Sequence, residues 1–451
     1  MGVHSCVLDP TLKREAPMFG GRYGRLFPDL APPHAALGPT IDLGIAGSPM
    51  DDVLAEDGPM LANPRIPAGF AIFGQFIAHD LTHDQSLLAH HEQTGTLRNF
   101  HAPRLDLEPL YGISATSMPF LYDLRDGDKL LLGRNDAARP DDLPRNQQGR
   151  ALTGDPRNDV HLPIAQLHVA FIKFHNHVVD RLRAEGLPAA RIFGAAQRLV
   201  RWHYQWIVAH EFLTLSVGEA LLEEIAASGR RFYDFATHPF LPVEFADAAY
   251  RFGHSQIAPG YRLNDTLDVV PLFPDLLGGR PVRADHVIDW SWFFAFPGRH
   301  APQPSRRIVP ALTHVLITLP DQIVGAAESM RGHSLAVRDL ERGRALALPS
   351  GEAIARAMGV TPLTEAECGL RAAGWETETP LWYYVLREAE VRAGGAHLGP
   401  VGGRIVAEVL SGLLDADADS YRQDADWRPT LPAARSGDFT MADLLRLAET
   451  V

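Results

Sequence analysis

Cysteine is nearly absent from the chain. Among 451 residues only Cys6 and Cys368 occur, which excludes a disulfide-stapled scaffold and makes a reducing compartment, the cytoplasm, the best fit. No apolar run reaches the roughly 18 residues of a membrane-spanning helix. The opening stretch, MGVHSCVLDPTLKREAPMFGG, lacks the basic and then apolar layout of a secretory signal. Runs of lysine or arginine are missing as well, and a net charge of −13 argues against a nucleic-acid surface or an anionic membrane as partner. Internal repeats and low-complexity tracts do not occur. What is there is 46% hydrophobic residues, with Gly and Pro spread throughout, enough for a large core in one large domain or two intimate ones.

Residues 1–66 are rich in Pro and Gly and read as an extended N-terminal arm; residues 67–451 read as a single helical domain. Within that domain, 92–158 is loop-like, with HAPRLDLEPLYG and GDPRNDVHLP as dense turn signals. A helix is expected over 162–184, with Pro163 in its first turn and Ile164, Leu167, Phe171, Phe174, Val178 and Leu182 repeating up to Gly186. A second long helical pattern covers 189–226, and amphipathic helices are expected at 244–257, 302–318, 352–358, 382–393 and 403–413. Strand signals are few and short. The fold class is therefore mainly α, with a buried site between helices.

The chain is organised around 67–91, PAGFAIFGQFIAHDLTHDQSLLAHH. Phe70, Phe73, Ile77 and Leu81 form one stripe with Phe76 on its flank, the pattern of a helix mostly surrounded by protein. Gln75 and His79 are four residues apart, so they share a face and can converge on one small ligand, while Asp80 points away. Taken singly, each is most simply a hydrogen-bonded core residue. His79 and His83 with Asp80 and Asp84 also have metal-ligand spacing on a helix, but the intervening Glu of a zinc protease is missing. Arg157, in a Pro-rich turn, is expected to pair Asp155 or Asp159. His254 lies on an apolar face beside Gly253, which permits close approach of a flat or bulky group.

Gln75 with His79 and Asp80, then the LDLEPLYG loop, Arg157, YRFGH with His254 and RDLERGRALALPSG follow one another in an order that resembles the animal-type haem peroxidases. That family belongs to the peroxidase and cyclooxygenase superfamily; the resemblance is to its bacterial branch and covers roughly residues 20–430. It implies a large helical fold with haem buried between helices. It also implies a peroxidase that reduces H2O2 and, through a ferryl intermediate, oxidises a small-molecule electron donor, organic or halide. By the same resemblance His79 is the distal general base, Arg157 the distal cation, Gln75 its neighbour that orders water or halide, and His254 the proximal iron ligand. A neutral imidazole suits both histidine tasks, and peroxide heterolysis needs a proton carrier, a positive charge and a basic axial ligand.

The resemblance further implies a Ca2+ site from Asp80, the carbonyls of Ala102 and Arg104, and the carboxylates of Asp106 and Glu108. Ala102 stands where the family usually has Thr, so one side-chain oxygen is missing. Asp339 stands where the family has Asn, accepting the proximal histidine's ring N–H; a carboxylate accepts it more strongly. Arg251 and Arg342 fall where the family holds haem propionates. Ala78 and Val160 occupy the positions that form haem esters in mammalian members, which implies non-covalent haem b. The fatty-acid dioxygenase branch carries a radical-bearing Tyr where this chain has Arg251; Tyr250 is one residue off, about 100° away on an α-helix, and Tyr204 and Tyr261 have no assigned place. A non-catalytic haem-binding protein would need only His254. His83, His90, His91, His175 and His210 read as surface or packing residues, and Trp202, Trp206 and WSWFF at 290–294 as core.

Overall fold

The computed structural model describes residues 21–33, 42–54, 61–83, 98, 99, 101–235, 239–324, 330–375 and 377–451; Cys6, Asp84, His90 and His91 lie outside them. The fold is mainly helical, with few short strands. Strand β1 (Gly21–Gly24) lies between the later segments β3 (Arg98–Asn99), antiparallel, and β4 (Leu241–Pro242), parallel. β2 (Ala62–Pro67) pairs antiparallel with β7 (Pro304–Arg306), and β5 (Gly260–Arg262) with β6 (Val269–Pro271), Tyr261 facing Val270.

β2 leads directly into α1 (Gly69–Leu81). Phe70, Phe73, Phe76, Ile77 and Leu81 are all buried, each contributing about 1.5–3 kcal/mol as a large apolar side chain removed from water. The start of α1 has no side-chain cap. Instead its Gly69 N–H donates to the Phe293 carbonyl at 3.0 Å and the preceding Ala68 N–H to Gln303 at 2.8 Å. Gly69 is required there, since a Cβ would come within 2.4 Å of the Phe294 ring. The helix does not continue towards 91: Thr82 turns extended (φ −127°, ψ 132°) and its N–H closes on the Ala78 carbonyl. His79 and His83 are thus not on one helix.

α2 (Leu162–Ala184) matches the expected span, with Pro163 in the first turn and Gly186 at φ +80° beyond its end. It lies against α1 through Phe171 stacked on Phe76 at 4.6 Å. The expected 189–226 helix is divided. α3 (Ile192–Ile207) passes through a π-helical turn, Val208–Phe212, into α4 (Leu213–Val217); Gly218, at φ +88°, breaks the chain before α5 (Glu219–Ser228).

Two other expectations fail. Residues 244–257 form a short turn, Val243–Ala246, and a tighter 3-10 segment, Ala249–Gln256, in place of one α-helix. Residues 302–318 form β7 and a single turn, His314–Ile317, because Pro302, Pro304 and Pro310 cannot donate within a helix and β7 finds its partner in β2. α6 (Leu335–Ala345), capped by Ser334, lies outside the expected helices; α7 (Gly351–Met358), capped by Ser350, α8 (Leu381–Ala393) and α9 (Pro400–Ala416) follow expectation. Trp290, Phe293 and Phe294 of WSWFF are core. No helix of the described residues is long and apolar enough to cross a membrane.

Candidate functional site

A cavity of 340 Å³ lies between α1, the start of α2 and the 3-10 segment, and Gln75, His79, Arg157, Arg251 and His254 all line it together with Tyr250, Gln256 and Tyr261. Most of the remaining wall is apolar, including Phe70, Ile164, Phe212, Phe245 and Leu272. Five residues spread over 180 positions therefore meet at one concave surface.

On the α1 wall, His79 is buried and its Nδ1 is 2.6 Å from Asn158 Oδ1. The Asn158 amide nitrogen lies 2.9 Å from His168 Nδ1, so the amide oxygen accepts a hydrogen bond from His79 and the amide nitrogen donates one to His168. His79 Nδ1 then carries the hydrogen and Nε2 keeps its lone pair. Burial, reinforced by the Arg157 charge, pushes His79 down to about 3, which holds the ring neutral. Asn158 and His168 were not singled out in the sequence; the one local signal is that Asn158 follows Arg157.

Arg157 sits in the 3-10 turn Pro156–Asp159, whose cap Asp155 accepts the Arg157 backbone N–H at 2.8 Å. The same carboxylate takes Nε (3.0 and 3.1 Å) and Nη2 (2.6 Å). Nη2 also reaches the carbonyls of His79, at 3.1 Å, and Thr82. Burial opposes ionisation of Asp155, yet the Arg157 hydrogen bonds and charge hold it at about 2. Asp159, the other candidate, belongs instead to Arg145 at 2.7 and 2.8 Å.

On the other wall, His254 Nδ1 lies 2.5 Å from Asp339 Oδ2. Asp339, on α6, is buried; burial would raise its carboxyl, but His254, Arg251 and Arg342 together hold it below the ordinary value. Arg251 Nη1 donates to Asp339 at 3.1 Å and Nη2 to Asp247 at 3.3 Å. Arg342 is not among the residues lining the cavity and stands 3.6 Å from Asp247. Nothing lies within 4 Å of where a Gly253 Cβ would be, so the cavity runs flat past this residue. Arg251 Nε and Gln256 Nε2 are buried without partners. An imidazole whose rear nitrogen is satisfied, an apolar wall and unpartnered buried donors together fit haem. Ala78 lines the cavity while Val160 is exposed, and neither side chain can form an ester.

Tyr250 donates its hydroxyl to the Gly74 carbonyl at 3.1 Å, and Tyr261 accepts the Ala258 N–H at 2.9 Å. Tyr204 donates to Asp80 Oδ2 at 3.1 Å.

Behind α1, Asp80 Oδ1 accepts the Glu108 N–H at 3.0 Å, which joins the helix to the 102–108 loop. Burial and then the Asp106 charge push Asp80 well up and Glu108 to about 7, while burial pushes Asp106 to about 6, with Arg201 opposing the rise and Asp417 adding to it. The Ala102 carbonyl already accepts the Arg104 N–H at 2.8 Å. Among the described residues, the cluster of three His, Cys, Asp or Glu donors within 4.8 Å is a different one: His83, His101 and Asp155. His83, read as a surface or packing residue, is part of it. His175 is structural, between Tyr111 Oη at 3.1 Å and the Asp128 carbonyl at 2.9 Å.

The model of the animal haem peroxidases matches residues 88–368, well over half of the chain and including Arg157 and His254, though not α1. Among characterised relatives, Drosophila melanogaster chorion peroxidase is 22% identical over 72% of this chain and 42% of its own length. Drosophila melanogaster peroxidasin is 25% identical over 40% of this chain and 13% of its own. The chain thus spans less than half the length of such relatives. Among solved structures, peroxidase A of Dictyostelium discoideum has a TM-score of 0.63 at 15% identity, covering 96% of this chain and 91% of that one. The Oryza sativa fatty acid α-dioxygenase has a TM-score of 0.62 at 14% identity, covering 92% and 76%. On the extent of the family match, and with the same helical fold, the chain belongs to the animal haem peroxidase family.

Proposed function

We propose that this protein is a haem-dependent peroxidase that reduces H2O2 and oxidises small organic donors or halides. The observation that carries the reading is the single cavity bounded by Gln75, His79 and Arg157 on one wall and by His254, backed by Asp339, on another. Haem b, held non-covalently through His254, supplies when bound the iron at which a peroxide O–O bond breaks. Around it the chain's own groups divide the work. His79 Nε2 takes the proton of the attacking peroxide and returns it to the departing oxygen; Asn158 keeps the proton on Nδ1 so that this lone pair stays available. Arg157, fixed by Asp155, places positive charge beside the departing oxygen, and Gln75, one turn below His79, orders water or halide. Asp339 draws the His254 Nδ1 proton and strengthens the ligand. Arg251 is the guanidinium at the cavity edge.

Absorption spectroscopy of haem-supplied protein tests this. A Soret band that changes rapidly with one equivalent of H2O2 in wild type and is lost in His254→Ala supports the reading. A band that does not respond to peroxide points to a haem-binding protein, and no band overturns it. A fatty-acid dioxygenase is the second reading, because Tyr250 lines the cavity; oxygen consumption with a fatty acid and no peroxide would favour it.

We also propose Ca2+ at the acidic loop, from the carboxylates of Asp80, Asp106 and Glu108 and the carbonyls of Ala102 and Arg104. The support is an oxygen-rich cluster, the buried Asp80 beside the half-buried Asp106 and Glu108, in which burial and the Asp106 charge oppose ionisation of Asp80 and Glu108. A melting temperature that is unchanged on adding Ca2+ to chelator-treated protein would remove calcium from the reading.

A further inference from the structure

In the cluster beyond the end of α1, Asp155 serves the reaction described above by holding Arg157, while His83 and His101 have no part in it. His101, on the loop after β3, turns Nδ1 towards two carbonyl oxygens, His79 at 2.9 Å and Asp80 at 3.2 Å. Carbonyls only accept, so Nδ1 carries the hydrogen and Nε2 directs a lone pair elsewhere. It is directed at Asp155 Oδ2, 3.7 Å away, with Glu108 Oε1 at 4.0 Å. His83 Nδ1 is 4.0 Å from the same Asp155 oxygen. Two ring nitrogens and a carboxylate oxygen thus lie within 4.8 Å of one another, with His101 and Asp155 buried and His83 half-buried.

The backbone holds this arrangement from behind. Asn99 Oδ1 accepts the N–H of both His83, at 2.6 Å, and His101, at 3.3 Å, and Asn99 Nδ2 donates to the last α1 carbonyl, Leu81, at 2.6 Å. One buried amide therefore sets the two histidines relative to each other and to the helix end.

We propose that His83, His101 and Asp155 form a binding site for one divalent transition-metal ion of the zinc class at the C-terminal end of α1. Two imidazoles and a carboxylate are the donors such borderline ions select, whereas Ca2+ takes oxygen. Bond lengths near 2.1 Å to zinc put tetrahedral ligand atoms about 3.4 Å apart, a few tenths of an ångström inside the 3.7 and 4.0 Å found here. Water completes the shell. Asp155 Oδ2, which also accepts Arg157 Nη2 at 2.6 Å and Nε at 3.0 Å, is then shared between the ion and the guanidinium while Oδ1 keeps the Arg157 backbone N–H, so the metal ties three loops together beside Arg157. The site requires no haem.

The test is Zn2+ titration by calorimetry of tag-free, haem-loaded full-length protein, stripped with chelator and held in excess Ca2+. One Zn2+ per chain is expected, with affinity about tenfold or more weaker in both His83→Ala and His101→Leu, and unchanged in His314→Ala, an exposed control paired with Asp51. No Zn2+ uptake by wild type, or equal uptake in the His83→Ala variant, overturns the site; His83→Ala, at a helix end, decides the matter if His101→Leu does not fold.

Discussion

His79 and His254 line one cavity, yet their second ring nitrogens meet opposite partners. His79 Nδ1 faces the neutral amide of Asn158 at 2.6 Å, which passes the contact to His168. His254 Nδ1 faces the carboxylate of Asp339 at 2.5 Å, itself paired with Arg251. An amide fixes a tautomer without changing the ring's charge; a carboxylate draws the proton and makes the imidazole more electron-rich. In the proposed reading it is the partner behind each ring, rather than the ring, that suits one histidine to carry a proton and the other to hold a metal.

The largest expected effect is on the neutral wall. His79→Ala should lower the rate of the first reaction with H2O2 by about 10²–10⁴-fold while the Soret band persists, measured by stopped-flow absorbance. If the Soret band goes as well, His79 is not confined to proton transfer. Exchanging the partners is the next step. Asp339→Asn should raise the ferric/ferrous midpoint potential and weaken haem retention by about 10–100-fold, and an unchanged potential would remove Asp339 from the tuning of His254. Asn158→Ala should slow the peroxide step by about 10–100-fold without moving that potential, so the two substitutions separate the walls.

A smaller effect concerns histidines outside the cavity. Burial holds His175 at about 4, against an ordinary value near 6.5. A histidine depressed in the fold contributes stability that is complete above 6.5 and is lost as pH falls through about 4, because the unfolded chain takes up the proton first. His175→Gln keeps both hydrogen-bond roles but removes that proton. Urea unfolding between pH 6.5 and 4 should therefore show a slope shallower by up to about 1.4 kcal/mol per pH unit. Smallest of all is Tyr250→Phe: its hydroxyl serves the Gly74 carbonyl, so turnover with H2O2 should stay within about twofold of wild type for about 1 kcal/mol of stability lost. Loss of activity there would move Tyr250 into the chemistry and favour the dioxygenase reading.

Much of this was legible in the sequence. The stripe of Phe70, Phe73, Ile77 and Leu81 announced a buried helix, and Pro163 with the following repeat marked α2 closely, since periodicity and caps are local properties. Where tertiary contacts outweighed local preference, the sequence misled: the 302–318 pattern is amphipathic, but its prolines and the pairing of β7 with β2 make it a strand and a turn. The tight 3-10 winding around His254 has no local signature either.

By itself, then, the sequence determined the helical class, the α1 and α2 helices and the order of motifs that marks the family, because these depend on residue type and spacing along the chain. Only the tertiary structure decided which partners stand behind each histidine. Asn158 and Asp339 lie 79 and 85 positions from the rings they touch, and His83, His101 and Asp155 converge only once three loops are packed together. Proton position and metal affinity depend on distances of a few ångströms between side chains that sequence spacing does not constrain.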